Sequence, residues 1–194
     1  MEKDRIAAFT DAVLAIIMTI LILELEKPKV LSLSGIWDLR ENFFSYTLSF
    51  FWLGLMWLTH HNNWQSIKKV SNSTVVYTLI LLFFSSFFPY TTSIVSSNFY
   101  NKTAQTMYGV IVIGVTLSNI MISKSLNKVN ENVGFGLLYA TPNNMTILDL
   151  SIKILGLVLT VGVYPPAMIY AIFIDIAVMS VATYKASRKR YRTI

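Results

Sequence analysis

Hydrophobic residues along this chain gather in six long runs, which are separated by short polar stretches. Several of these runs approach or reach the ~20 residues that a helix needs to cross the hydrocarbon core of a bilayer. The pattern therefore predicts an all-α, polytopic membrane protein, with six transmembrane helices in a single domain over residues 1–194. The predicted spans are 5–25, 43–64, 74–96, 104–122, 145–164 and 166–184.

Polar residues and prolines inside and between these runs predict local features. Pro89 lies late in the third run, where it should kink the helix or mark its end. Asp149 and Lys153 open the fifth run with i,i+4 spacing, so they can neutralise each other on one helix face. The Asn-rich stretch 123–144 is expected to be a loop, and the sequence YPP at 164–166 is expected to turn the chain.

The charges agree with a membrane location and indicate an orientation. Only 13% of the residues are charged, against about 25% in soluble domains. With both termini on one side, that side holds eleven of the sixteen Lys and Arg residues, or twelve with Lys153, and the other side holds four. Because cytoplasmic loops retain basic residues, both termini are predicted to be cytoplasmic. The net charge of +6 then needs no nucleic-acid partner.

Several site types are disfavoured by composition. The chain has no cysteine, so disulfides and thiolate metal sites are excluded. Its two histidines are adjacent, and neighbours on a helix point about 100° apart, which suits chelation poorly. Because no catalytic motif occurs either, we expect neither a resident metal, nor a cofactor, nor an enzyme. A cleaved signal peptide is also not expected, because the start is acidic and Asp11 interrupts the first run.

The first run has two different faces when it is read as a helix. Taking Ile16 as the reference, a column of residues lies within about 60° of it, whereas Asp11 lies about 140° away. The column could pack against neighbouring helices, or it could line a pore with apolar constrictions and the single hydroxyl of Thr19 between them. Periodicity alone leaves both interpretations open. The column comprises Phe9, Ala12, Ile16, Thr19, Ile20 and Leu23.

Asp11 needs a polar partner, because an acid within a membrane normally faces protein or water. The second run offers one in FFWLGLMWLTHHNNW, where Trp57, His60 or His61, and Trp64 form a stripe three and four residues apart. Antiparallel first and second helices would bring the acid and the histidines to similar depth. We therefore predict a polar cluster near the cytoplasmic boundary, with Arg5 either a further member or a snorkelling interfacial residue. Its members are Thr10, Asp11, Trp57, His60 and His61.

Other polar residues allow two interpretations each. Asp175 lies in the middle of the sixth run, as a functional acid or as one satisfied by Ser, Thr, Tyr or Asn of a neighbouring helix. Asn119 in the fourth run is a similar inward-facing candidate. Glu24 and Glu26 follow the first helix on the outer side, where they would either ring a pore mouth and concentrate cations or remain solvated beside nearby lysines.

The sequences of the first and second predicted helices resemble those of a known protein family. The sequence RIAAFTDAVLAI at 5–16 resembles the R-x-x-x-F-S-D signature of the transmembrane protein 175 family, with Thr10 in place of the usual serine. Trp57, His60 and His61 are similar to the Trp-x-x-His-His pattern of that family's second helix. The family comprises endolysosomal potassium channels of animals and their bacterial relatives, and six spans in about 200 residues resemble its short bacterial form.

The resemblance implies a potassium-permeable channel in a bacterial cell membrane, assembled as a homotetramer with K⁺ as the permeant ion and lacking the T-V-G-Y-G filter. The first helix of each subunit would line the pore. Ile16 would form the gate, Ile20 and Leu23 would add apolar constrictions, and Thr19 with Ile16 would set selectivity as K⁺ passes. The motif residues would support the pore from behind; they are Arg5, Phe9, Thr10, Asp11, Trp57, His60 and His61.

Two other classes remain open from the residues. One is a proton- or ion-coupled secondary transporter that uses Asp11, His60, His61 and Asp175. The other is a membrane-embedded enzyme or scaffold. The sequence lacks paired spans interrupted by Gly and Pro, which weakens the transporter, and it lacks a catalytic constellation, which weakens the enzyme.

Overall fold

The computed structural model describes residues 3–130 and 143–191, and throughout these ranges the regular structure is helical. The all-α fold class is therefore confirmed for the described part of the chain. Its helices are α1 (Lys3–Leu23), α2 (Leu33–Trp37), α3 (Arg40–Ser66), α4 (Asn72–Ser86), α5 (Phe88–Ser97), α6 (Lys102–Val129), α7 (Asn143–Gly162) and α8 (Ala167–Tyr191).

Each predicted hydrophobic run is helical, but some ends differ. α6 continues to Val129, so the prediction of a loop from residue 123 is wrong for 123–129. Leu126 is buried on this extension. The side chain of Asn130 then fixes the helix end, because its amide donates to the carbonyl of Lys69 at 2.8 Å and its oxygen accepts from the backbone N–H of Lys69 at 2.9 Å. Residues 131–142 of the expected loop lie outside the described residues, and the loop prediction is also wrong for 143–144, which begin α7.

The third run is divided by a break at Phe87. α4 ends at Ser86, and α5 begins with Phe88 and Pro89 in its first turn. Proline has no N–H to continue the α4 hydrogen bonds, but it is tolerated in the first turn of a helix. Pro89 therefore interrupts this run, as expected, and helical structure resumes for the ten residues of α5.

The short helix α2 was not predicted. It follows the polar stretch after α1, and its first turn is capped by Ser32, whose hydroxyl accepts from the N–H of Gly35 at 3.0 Å. Trp37 at its end is exposed. α2 therefore forms part of the connection between α1 and α3.

The core of the bundle combines apolar packing with a group of hydrogen-bonded hydroxyls. The rings of Trp52 and Phe88 stack with centroids 4.9 Å apart. Beside them, the buried Ser49 hydroxyl contacts the hydroxyls of Thr92 and Tyr108, each at 2.8 Å. Such pairing matters because a buried polar group without a partner is costly. These contacts join α3, α5 and α6.

Several helices are suited to a bilayer. Among the described residues, four stretches are long and apolar enough to cross it by length and composition: α1, the pair α4–α5 (Asn72–Ser97), α6 and residues Met145–Gly162 of α7. The apolar part of α8, Ala167–Val181, is shorter, and α3 is 27 residues long. The prediction of an integral membrane protein is confirmed.

Candidate functional site

One face of α1 packs against the rest of the helical bundle. Its buried residues recur every three or four positions and pack towards α3, α4 and α5. This spacing follows one stripe of a helix. The buried residues are Ile6, Thr10, Leu14, Ile17 and Leu21.

The column of residues around Ile16 is not covered by the described part of the chain. The exposed fractions are 52% for Phe9, 57% for Ile16, 38% for Ile20 and 78% for Leu23. Thr19 is also exposed. The described residues therefore do not pack over the column, which is free to face lipid, another protein chain or a water-filled pore.

The hydroxyl of Thr19 is oriented by its own helix. It donates to the carbonyl oxygen of Ile16 at 2.8 Å. A hydroxyl oxygen that donates its proton still has acceptor lone pairs. Thr19 therefore presents an oxygen acceptor on an otherwise apolar surface, as a contact to a cation requires.

Asp11 lies beside α3, as its helical angle predicts. The indole Nε1–H of Trp57 donates to its carboxylate at 2.9 Å, and the ring of His61 stacks on Trp57 with centroids 5.3 Å apart. Trp57 is 37% exposed. The hydrogen bond from Trp57 to Asp11 therefore lies at the surface of the bundle, not in its core.

The expected polar cluster is divided in the structure. His60 is buried and turns towards α6, where its Nε2 lies 2.6 Å from the Oδ1 of Asn119. The reason is angular: His61 is about 40° round the helix from Trp57, whereas His60 is about 60° away in the opposite sense. The hydroxyl of Thr10 is also buried, and it donates to the carbonyl of Ile6 on its own helix at 2.8 Å.

The remaining motif residues are at the surface. Arg5 and Phe9 are both exposed. Arg5 makes no ion pair with the residues that the structure describes. Its placement does not pair it with Asp11 in the described part of the chain.

A second polar group was only partly foreseen. Lys153 contacts Asp149 on α7, as its spacing predicts, and it also lies 3.2 Å from Asp175 on α8. The sequence left Asp175 open between a functional acid and an acid satisfied by neutral side chains of a neighbouring helix, and the structure places a lysine beside it. All three side chains are at most 1% exposed. The sequence feature that could have predicted this group is the occurrence of three charged residues in two consecutive apolar runs.

The carboxylates after α1 occupy different surroundings. Glu24 is half-buried, whereas Glu26 is exposed and accepts a hydrogen bond of 2.6 Å from Ser97 at the end of α5. Glu26 also lines a polar cleft of about 520 Å³ whose other charged residues are Lys27, Lys29, Asp38 and Glu41. Within the described ranges, no group of three or more His, Asp or Glu residues could hold a metal ion.

Known proteins resemble this chain in the region of α1, α3 and α4. The family model described as endosomal/lysosomal potassium channel TMEM175 matches residues 5–89. The resemblance predicted from the motif is confirmed. This range contains both the motif at 5–16 and the second-helix pattern of Trp57, His60 and His61.

Curated relatives extend the match. A potassium channel of a Chryseobacterium species is 37% identical over 120 residues, which cover 62% of this chain and 61% of that protein. A potassium channel of Streptomyces collinus is 26% identical, over 60% of this chain and 61% of that protein. The chain thus spans about 61% of the length of the curated relatives it matches. Both are named as channels, not enzymes, and both are bacterial.

The fold also matches a solved structure. The crystal structure of a lysosomal potassium-selective channel TMEM175 homologue from Chamaesiphon minutus aligns with a TM-score of 0.63 at 21% identity. The alignment covers 92% of this chain and 98% of that one. At this identity the likeness concerns the fold, and it includes the helices beyond residue 89.

Proposed function

We propose that this chain is one subunit of a potassium-permeable cation channel whose pore is lined by α1. The proposal rests on one observation: Ile16, Thr19 and Leu23 lie on the face of α1 that the subunit leaves uncovered. These are the residues to which the family resemblance assigns conduction. The potassium-channel names of the curated relatives support the same function.

The topology that fits this function has six spans in one domain, with both termini in the cytoplasm. In this arrangement α1, α3, the pair α4–α5, α6, α7 and α8 each cross the membrane once. The uneven distribution of Lys and Arg supports the orientation. The near-complete alignment with a channel-like fold supports the count.

A homotetramer is the assembly that we propose. The carboxylate of Asp11 and the indole of Trp57 lie at the subunit surface, and lipid is a poor environment for a carboxylate. A neighbouring subunit would cover them, and closed rotational symmetry would bring the uncovered faces of the α1 helices together around one axis.

Conduction along this axis would pass apolar rings and one hydroxyl ring. Ile16, Ile20 and Leu23 would form constrictions that gate by wetting and dewetting. Thr19 would supply oxygen contacts to partly dehydrated K⁺. Glu24 and Glu26 would raise the cation concentration at the outer mouth. The permeant K⁺ is then the only ligand required, and no cofactor takes part.

Potassium flux from liposomes containing the purified protein tests the proposal, with Ile16→Asn as the first variant. We expect this substitution to raise flux because a polar side chain favours water in the constriction. Ile22→Asn is the matched control. Ile22 is also exposed but lies about 120° round α1 from Ile16, so its substitution should leave flux near that of the wild type.

Two results would contradict the channel. One is the absence of flux from wild type and Ile16→Asn alike, although both proteins are incorporated and folded. The other is a potassium movement that occurs only with a proton gradient, which would indicate a coupled transporter. Equal stimulation by Ile16→Asn and Ile22→Asn would reject α1's column as the pore lining.

A further inference from the structure

Three charged side chains meet inside the subunit, away from α1. Lys153 on α7 donates to Asp149 one helical turn before it, and its ammonium lies 3.2 Å from Oδ2 of Asp175 on α8. The same ammonium donates to the hydroxyl of Thr116 on α6 at 3.1 Å. It also lies 5.5 Å from the ring centroid of Trp52 on α3. We call Asp149, Lys153 and Asp175 the acidic triad.

The triad is not balanced in charge. Two carboxylates face one ammonium, so full ionisation would leave one net negative charge in a group that is at most 1% exposed. The neighbours on α6 and α3 are a hydroxyl and an aromatic ring, which carry no formal charge. Among the described residues, the ion pairs of this group are those of Lys153 with Asp149 and with Asp175. Within that part of the chain, no second cation forms an ion pair with Asp149 or Asp175.

Several oxygens of the triad lack a hydrogen-bond donor. Oδ2 of Asp149 and both carboxylate oxygens of Asp175 are buried without a hydrogen bond. The contact of Asp175 with Lys153 is therefore an ion pair by distance that lacks hydrogen-bond geometry. The two carboxyl groups lie on either side of the same ammonium, that of Lys153. A carboxylate can only accept, whereas a protonated carboxyl group can donate.

An unbalanced buried charge is normally removed by protonation. Burial opposes the charged form of a carboxyl group, and two carboxylates that share a site oppose each other's ionisation. A proton on one carboxyl group would remove the excess charge and supply a donor to an orphan oxygen. One bound proton therefore accounts for both the excess negative charge and the missing hydrogen-bond donor.

We propose that the acidic triad is a proton-binding site, which holds one exchangeable proton on the paired carboxyl groups of Asp149 and Asp175. Binding forms one O–H bond on a carboxylate oxygen, and release returns the proton to water. The ammonium of Lys153 already occupies the space beside both carboxylates, where a metal cation would have to sit. The proton is therefore favoured over Na⁺ or K⁺ as the ligand.

Infrared difference spectroscopy tests this site on the full-length protein in lipid. At neutral pH the wild type should show the C=O stretch of a protonated carboxylic acid, which shifts on exchange into D₂O. Asp149→Asn and Asp175→Asn should each lose this band, because the remaining carboxylate is then balanced by Lys153. Lys153→Met should instead strengthen the band, because both carboxyl groups then retain protons.

Asp38→Asn is the control for the assignment. Asp38 is exposed after α2, so its substitution should leave the acid band unchanged. The absence of an acid band in folded wild type would overturn the proposal, as would a band that survives in both triad Asn variants. A missing band combined with a stability that depends on added Na⁺ or K⁺ would identify a metal cation as the ligand instead.

Thermal stability provides a second readout if one variant folds poorly. Raising the pH removes the proton and leaves a buried net charge, so the melting temperature of the wild type should fall as pH rises. Asp175→Asn leaves one carboxylate beside one ammonium and removes the excess buried charge, so its melting temperature should fall less over the same pH range. Parallel pH profiles for the two proteins would overturn the site. Neither measurement depends on ion flux, so the channel proposal stands or falls separately.

Discussion

The indole of Trp57 on α3 donates a 2.9 Å hydrogen bond to the carboxylate of Asp11 on α1. Asp11 lies about 140° round the helix from Ile16, so the bond holds α1 by the side away from the uncovered column. A hydrogen bond to a charged acceptor is among the stronger ones in proteins. It therefore restricts rotation of α1 about its axis and keeps Ile16 facing outwards.

We predict that Asp11 and Trp57 are energetically coupled. Trp57→Phe keeps an aromatic ring beside His61 but removes the N–H donor, and it should lower the free energy of unfolding by ~1–3 kcal/mol. In the Asp11→Asn background the same change should cost much less, because the charged acceptor is already gone. Denaturant unfolding of the four proteins in detergent measures the coupling. Trp37→Phe at an exposed position is the control, and additive losses would contradict the coupling.

The buried pair His60–Asn119 leads to a different prediction. Asn119→Leu removes the partner of a buried imidazole and should destabilise the fold by ~1–3 kcal/mol. Adding His60→Leu should recover part of this loss, because replacing both partners leaves no polar group unsatisfied. Melting temperatures of the two single variants and the double variant give the comparison. A double variant that is less stable than Asn119→Leu would refute the pairing.

Hydrophobic runs predicted the helices well because a bilayer-crossing helix must be apolar along most of its length. The same signal could not find the end of α6. Residues 123–129 are mostly polar, yet this helical stretch is held by Leu126 in the core and by the contacts of Asn130 with the backbone of Lys69. Hydropathy indicates which part of a helix lies in lipid, but it does not predict whether the helix continues beyond the bilayer.

The contacts of the polar residues show a second limit of prediction from the sequence. The helical angle correctly directed Asp11 towards Trp57, but it could not say which helix lies beside His60, since that depends on how α6 packs against α3. The contact of Lys153 with Asp175 was easier to predict from the sequence. These residues lie 12 positions before and 10 positions after Pro165, so a tight antiparallel turn at that proline brings them to similar depth.

Packing between α7 and α8 gives a sharp test at two glycines of one helix. A Cβ added to Gly156 would overlap the Cβ of Ala171 on α8, whereas one added to Gly162 would meet no atom within 4 Å. Gly156→Ala should therefore cost ~1–3 kcal/mol through overpacking, and Gly162→Ala should change stability little. Thermal unfolding in detergent distinguishes them. Equal stability of the two variants would show that α7 and α8 do not approach closely at Gly156.

The last prediction concerns ion selectivity and Thr19. Its hydroxyl is the single polar side-chain group among the column residues, so Thr19→Val, which keeps the shape and removes the oxygen, should lower the ratio of potassium to sodium permeability. Thr19→Ser keeps the oxygen and should retain most of the ratio. Reversal potentials under bi-ionic conditions measure both variants in the same bilayer. An unchanged ratio in Thr19→Val would remove Thr19 from selectivity, and an equal loss in Thr19→Ser would assign the effect to side-chain shape and not to the oxygen.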